Sequence, residues 1–177
     1  VLRQRLAALQ DKFGFDRRGH TSKALTHALT QLPHDLATGF APGDLERLAL
    51  TAMSLADRPR AKLVLVKSAL GRHLFAFVWL PRDDVTTDRR LAVGEMLGEA
   101  AGAPLLSWSI ALEDGVVALI RYTYDLRDGG KLPDARPLDQ RLARMVRGWA
   151  PAVEAALAEQ VEPARAARLS LGHALDF

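Results

Sequence analysis

The segment Pro81–Thr87 is the one place in the sequence where residue types and spacing could bind a charged ligand. It follows a long apolar run and precedes a helical pattern, where free backbone N–H groups and the helix dipole favour an anion. Arg82 could hold a carboxylate through two parallel hydrogen bonds, and Asp83 or Asp84 could accept an ammonium. The candidate effector-binding residues are therefore Arg82, Asp83, Asp84, Thr86 and Thr87. The competing interpretation is a fixed turn in which Arg82 pairs with a nearby acid.

Motifs for catalysis and cofactor binding do not occur in the sequence. A dinucleotide site needs a glycine-rich turn between strand and helix, and no G-x-G-x-x-G is present. No G-x-S-x-G nucleophile motif is present either. The carboxylate pair Glu113-Asp114 falls in a predicted hairpin turn, which explains it by turn geometry. The sequence therefore predicts no catalytic and no cofactor-binding residues in this chain.

Three histidines recur at intervals of seven residues: His20, His27 and His34. Seven residues are two helical turns, about 10.5 Å, which is too far for two ligands of one metal ion. No carboxylate shares a suitable spacing, so no metal site is predicted.

Composition restricts the class of protein. The chain has 177 residues, of which 49% are hydrophobic and 25% charged, as expected for a folded domain. Its 24 basic residues are scattered among 21 acidic ones, which argues against nucleic-acid binding. It lacks cysteine and any apolar run of about 20 residues, so we expect a cytoplasmic protein without a membrane helix. The first residue is Val1 rather than Met, so we expect a piece of a longer protein.

The first third of the sequence has helical periodicity. Leu2, Leu6, Leu9 and Phe13 form one stripe, which Gly14 ends. Thr21 or Ser22 can cap a short second helix through Leu29. A third helix is predicted from Pro42, which suits a first helical turn, to a break at 57–59. Its buried face is predicted to be Leu45, Leu48, Ala52 and Leu55.

The middle of the sequence alternates between strand and helix patterns. Runs at 62–67 and 73–80 flank a turn with Gly71 and predict a hairpin. The second run is apolar on both faces, so it should be a central, covered strand. A helix at 85–101 follows, with Thr86 or Thr87 as its cap. Strands at 105–112 and 116–124 then flank Asp114-Gly115, a strong hairpin signal. The predicted buried stripe of the helix is Val93, Met96, Leu97 and Ala100.

This order predicts an α+β fold, with an ACT-like, ferredoxin-like, four-stranded and mostly antiparallel sheet that carries helices on one face. N-terminal and C-terminal helices flank it. The predicted domains are a helical segment at 1–57, the α+β domain at 58–126, a linker at 127–137 rich in Gly and Pro, and a helical segment at 138–177, whose last helix runs from about Pro163 to Leu175.

Two further patterns allow two interpretations each. Trp79, Trp108 and Trp149 lie on apolar faces, which favours core positions over a stacking platform. Glycines at 94, 98 and 102 lie on one ridge of a helix. They favour a helix pressed against its sheet or a neighbouring helix. The alternative is a surface for self-association.

Several stretches resemble the large bacterial NAD-specific glutamate dehydrogenases. The most recognisable is Phe77–Asp83, an apolar strand that runs into Pro-Arg-Asp. The similarity continues over nearly the whole chain, although Thr86-Thr87 stands where the family has Asn-Thr. The other similar stretches are 19–25, 32–36, 58–63, 71–75 and 138–165.

The resemblance implies an N-terminal ACT-like region without the catalytic domain. It implies a full-length enzyme that uses NAD to deaminate L-glutamate to 2-oxoglutarate, and no cofactor in this fragment. The implied partners are other domains of the same chain, further subunits of a homo-oligomer and an amino-acid effector, with no nucleic acid and no membrane. The leading hypothesis is thus a non-catalytic regulatory and oligomerisation module. The alternative is a free-standing α+β small-molecule-binding protein or an enzyme of unrelated function.

Overall fold

The computed structural model describes residues 2–12, 23, 25–27, 40–112 and 116–149. The chain divides into two compact units, Val1–Leu142 and Ala143–Phe177. Several sequence predictions lie outside the described residues: Gly14, the cap at Thr21 or Ser22, the turn Asp114-Gly115 and the last helix. Of the second unit, residues 143–149 are described, and they are helical.

Four strands form one antiparallel sheet: β1 (Lys62–Lys67), β2 (His73–Pro81), β3 (Leu105–Ala111) and β4 (Val117–Asp125). Their order is β1-β2-β4-β3. Because β2 and β3 both run antiparallel to β4, they are parallel to each other with β4 between them. The helix that joins them, here α3 (Thr87–Ala101), completes a split β-α-β unit. The predicted α+β, ACT-like fold is confirmed.

Both faces of the sheet are covered, by different helices. Residues directly opposite in neighbouring strands point to the same face. The face with Tyr122 and Tyr124 packs under α3, because both hydroxyls reach that helix. The other face, with Phe75, Phe77 and Trp79, forms one hydrophobic cluster with the N-terminal helical residues. β2 therefore lies in the centre of the sheet and is buried from Leu74 to Leu80, as its apolar run predicts.

The N-terminal cover consists of a helical stretch at 25–27 and α2 (Pro42–Asp57), and α1 (Leu2–Lys12) contacts α2. Pro42 stands in the first turn of α2, where its missing N–H costs nothing. The predicted face is confirmed, since Leu45, Leu48, Ala52 and Leu55 are all fully buried. The Arg47 guanidinium also donates from this helix to the Leu65 carbonyl of β1 at 2.6 Å.

The β1–β2 hairpin is formed as predicted. Gly71 has a φ of 70°, which favours glycine over any residue with a Cβ. The Ser68 amide donates to the His73 carbonyl at 2.9 Å and closes the turn.

Three predictions on α3 and β3 are corrected. The helix begins at Thr87 rather than Val85, because Val85 and Thr86 have an extended backbone and Thr86 caps the helix. Ala100 is exposed, and Ala101 is buried in its place. Trp108 is not a core residue: it is 45% exposed, because β3 lies at the edge of the sheet.

The chain after β4 returns along the end of α3. The Lys131 amide donates to the Ala101 carbonyl at 2.9 Å. A helix, here α4 (135–149), then begins ahead of Pro137. Within the first unit, the Asp139 carboxylate accepts from the Leu63 amide at 2.9 Å and from Lys62 Nζ at 2.8 Å, which ties α4 to β1.

The predicted domain boundaries at 57, 126 and 137 stay predictions. Of the described helices, none is long and apolar enough to cross a membrane.

Candidate functional site

The connection from β2 to α3 holds the predicted effector residues together at one end of the sheet. Arg82–Asp84 form a single 3-10 turn. The Arg82 amide donates to the Val116 carbonyl at 2.9 Å, and the Val85 amide donates to the Arg82 carbonyl at 3.2 Å. The backbone of this loop is thus fixed against β4 before the helix begins.

Thr86 caps α3, as predicted. Its hydroxyl accepts from the Arg89 amide at 3.2 Å, which satisfies one of the free N–H groups of the first turn. Arg89 Nη1 donates to the Asp84 carboxylate at 3.1 Å and to the Asp84 carbonyl at 3.2 Å. Asp84 therefore pairs with Arg89, while the side chains of Arg82, Asp83 and Thr87 are exposed.

The same connection does not fit the pyrophosphate of NAD. Dinucleotide sites require glycines where a strand meets a helix, so that backbone amides can approach the phosphates. Here Pro81–Thr86 contains no glycine, and the Thr86 side chain occupies the first turn of the helix. Among the described residues, no group of three or more His, Cys, Asp and Glu residues could hold a metal ion.

Two tyrosines fix α3 to the sheet. The Tyr122 hydroxyl donates to the Arg90 carbonyl at 2.7 Å, and the Tyr124 hydroxyl donates to the Gly94 carbonyl at 2.6 Å. A Cβ on Gly94 would lie 2.9 Å from the Tyr122 ring, so only glycine permits this approach. Gly94 and Gly98 thus serve packing against the sheet, the first of the two interpretations, whereas Gly102 ends the helix with a φ of 59°. Burial raises the pKa of Tyr122 and Tyr124, which keeps both hydroxyls protonated as donors.

Beside the tyrosines, an open groove of about 660 Å³ lies between α3 and the start of β3. Its wall includes Leu91, Glu95 and Glu99 of the helix, and its floor is Leu105 with the two tyrosine rings. Next to it, the Arg90 guanidinium lies 3.6 Å above the centre of the Trp108 ring. A cation over an indole ring is attracted by the electron-rich face of the ring.

We define the edge surface as five exposed apolar residues of α3 and β3: Leu91, Leu105, Leu106, Trp108 and Leu112. Their exposed fractions lie between 41% and 53%. Exposed apolar side chains clustered on neighbouring elements are typical of an interaction surface. Sequence reasoning missed it, because apolar residues of an edge strand look the same as those of a buried strand. The available signal was the order of strands, which leaves β3 without a second neighbour.

Comparisons with known proteins agree with this architecture. A family model described as the ACT2 domain of glutamate dehydrogenase matches residues 62–150, from β1 through α4. The NAD-specific glutamate dehydrogenase of Halomonas elongata is 31% identical over 155 residues, and that of Pseudomonas aeruginosa is 24% identical over 149 residues. Each alignment covers 84% of this chain and 9% of the relative, so the chain spans only a small part of these curated relatives.

The family match includes the split β-α-β unit and the edge surface. It covers just over half of the 177 residues. The chain therefore belongs to the family of glutamate dehydrogenase ACT2 domains.

Proposed function

We propose that this chain is a non-catalytic assembly and regulatory module of a cytoplasmic NAD-dependent glutamate dehydrogenase. The longer enzyme would convert L-glutamate to 2-oxoglutarate. Family membership supports this proposal, as do the relatives named NAD-specific glutamate dehydrogenase, of which the chain matches only 9%. The β2–α3 connection does not fit the pyrophosphate of NAD, and we place the chemistry in another part of such an enzyme.

The observation that carries the assembly role is the edge surface. Burial of apolar side chains is worth roughly 25 cal/mol per Å², so five half-exposed ones favour association. β3 also presents unpaired backbone groups on its outer side, as every edge strand does. A protein that leaves such an edge uncovered risks unspecific aggregation, which favours a defined partner here.

A second copy of the chain could form ion pairs across this surface. Along α3, Arg90 lies near the start of the helix, and Glu95 and Glu99 lie towards its end. An antiparallel second copy of α3, centred between residues 94 and 95, brings Arg90 of one copy opposite Glu99 of the other. The two-fold axis repeats this pair, places the Leu91 side chains in the contact and brings the two Glu95 side chains close together, where their like charges oppose association.

Sedimentation velocity tests the assembly role. We expect the chain to dimerise with increasing concentration and Leu91→Glu to remain monomeric, because a charge would be buried in the contact. Leu70→Glu is the matched control, since Leu70 is 77% exposed on the β1–β2 turn. A monomeric wild type, or equal behaviour of both variants, would refute the proposed surface.

The regulatory role places an amino-acid effector at the β2–α3 connection. Exposed Arg82 holds its carboxylate and exposed Asp83 its ammonium, while Thr86, Thr87 and the Asp84–Arg89 pair position the loop. The helix dipole adds a favourable field for the anion. A thermal-shift titration with a panel of amino acids should raise the Tm of the wild type and not that of Arg82→Ala. If no amino acid shifts the wild type at tens of millimolar, the effector role fails and the assembly role remains.

A further inference from the structure

One arginine is buried inside the sheet layer. Arg121 lies on β4, on the face opposite α3, and is only 5% exposed. Its partner across the β2 pairing is Phe77, and its partner across the β3 pairing is Ser109. Arg121 Nε and Nη1 are shielded from solvent and have no hydrogen-bond acceptor within the part of the chain that the structure describes.

Burial of a guanidinium without a hydrogen-bond acceptor destabilises the folded state, because the group loses its hydrogen bonds to water and forms no others. The nearest acid along the same face of β4 cannot serve it: Asp125 accepts from Arg127 at 2.7 Å and 2.9 Å. Burial accordingly lowers the pKa of Arg121. A charge that the fold keeps at such a cost points to an anion that completes the site.

Arg121 lies one strand away from the β3 edge of the sheet. Only β3 lies between β4 and this edge of the sheet. Neighbouring strands are about 4.8 Å apart, so the distance to the edge is short. On this face β3 carries Ser107 and Ser109, whose side chains are small and partly exposed. Thr123 lies beside Arg121 on β4, opposite Ser107. Arg121, Thr123, Ser107 and Ser109 thus lie together on this face, next to the apolar cluster of β1 and β2.

We propose that Arg121, with Ser109 and Thr123, binds a carboxylate that reaches it over the β3 edge. The planar guanidinium fork matches the two oxygens of a carboxylate, and neighbouring hydroxyls donate further hydrogen bonds. The carboxylate belongs either to a free small acid or to an acidic side chain of a polypeptide segment packed on β3. The chemistry of recognition is the same in both cases. This site is separate from the β2–α3 connection and does not depend on the effector role proposed there.

The first test uses free acids. The Tm of the 177-residue chain is measured with acetate, succinate, glutamate and 2-oxoglutarate, against chloride at equal ionic strength. If a free acid is the ligand, it raises the Tm of the wild type, of Arg82→Ala and of Arg60→Met, which removes an exposed arginine. Arg121→Met then shows no shift. Arg121→Lys, which keeps the charge and loses the fork, requires about tenfold more acid for the same shift.

The second test rests on the proposed function and compares Arg121→Met in the 177-residue chain and in the longer enzyme of which this chain would be a part. If a side chain from the rest of the protein supplies the carboxylate, no free acid shifts the Tm. The variant then raises the Tm of the short chain, because an unpaired charge is removed, and lowers that of the longer enzyme. The proposal is overturned if no acid gives a shift that depends on Arg121 and the variant changes both melting temperatures in the same direction.

Discussion

Gly94 is the residue that decides how closely α3 approaches the sheet. A methyl group there would lie 2.9 Å from the Tyr122 ring, whereas nothing lies within 4 Å of a methyl group at Gly43. We expect Gly94→Ala to lower the free energy of unfolding by about 1–3 kcal/mol, as overpacking does. Gly43→Ala in α2 should be neutral or stabilising by up to about 1 kcal/mol, because alanine favours a helix. Urea unfolding measures both, and equal effects would show that α3 does not rest on Tyr122.

The carboxylate of Asp125 fixes the end of β4 through Arg127. Hydrogen bonds from the Arg127 guanidinium and backbone hold the pKa of Asp125 at about 2, below its ordinary value of 3.8. The folded state therefore binds this proton less readily than the unfolded chain does. The stability from this group is fully present above about pH 4 and is lost as the pH falls towards 2.

We accordingly expect Asp125→Asn to unfold with a weaker pH dependence between pH 4 and pH 2 than the wild type. Thermal melts across this range measure it. Asp128→Asn removes an exposed neighbouring acid for comparison. An unchanged slope in Asp125→Asn would show that the Asp125–Arg127 pair does not form in solution.

At the scale of elements, β2 is the strand on which the sheet depends. It pairs with β1 on one side and β4 on the other, and Phe77 in its middle is fully buried. We expect Phe77→Ala to cost about 3–5 kcal/mol, as truncation of a buried phenylalanine does. The midpoint of urea unfolding reports this loss, with Leu70→Ala as an exposed control near zero. A loss below about 1 kcal/mol would mean that β2 is not the core strand.

Helices and strands can be predicted directly from the sequence where the pattern that indicates them lies within a few neighbouring residues. The periodic leucines of α2, the apolar run of β2 and Thr86 as a cap each depend on neighbours a few residues away. The burial of a side chain in the sheet cannot be predicted in this way, because it depends on the order of the strands. Trp108 looks like a core residue in the sequence and lies on an edge, while Arg121 looks like a surface residue and lies buried. Neither can be decided before it is known that β4 inserts between β2 and β3.

The candidate sites also differ in whether their residues are neighbours in the sequence. The β2–α3 connection could be predicted from one contiguous segment, Pro81–Thr87, because strand, turn and helix start follow each other in the chain. The edge surface and the path to Arg121 combine residues from α3, β3 and β4. Only the folded sheet brings these residues together, so no motif in the sequence indicates them.

We propose no catalytic role for the chain as a whole. We expect the purified 177-residue chain to show no glutamate-dependent reduction of NAD, because its strand–helix connection does not fit a dinucleotide. Absorbance of NADH at saturating glutamate and NAD measures this. Turnover that a substitution within the chain abolishes would contradict a non-catalytic role.

We propose that two copies of the chain meet through α3 and the edge surface. Because the sequence contains no cysteine, a single cysteine reports one position without interference. Glu95 lies exposed next to the proposed two-fold axis, and Leu70 lies on the β1–β2 turn. We expect a short bismaleimide to convert Glu95→Cys into a covalent dimer and to leave Leu70→Cys monomeric. Crosslinking of neither variant, or of Leu70→Cys alone, would contradict a dimer formed through α3 and the edge surface.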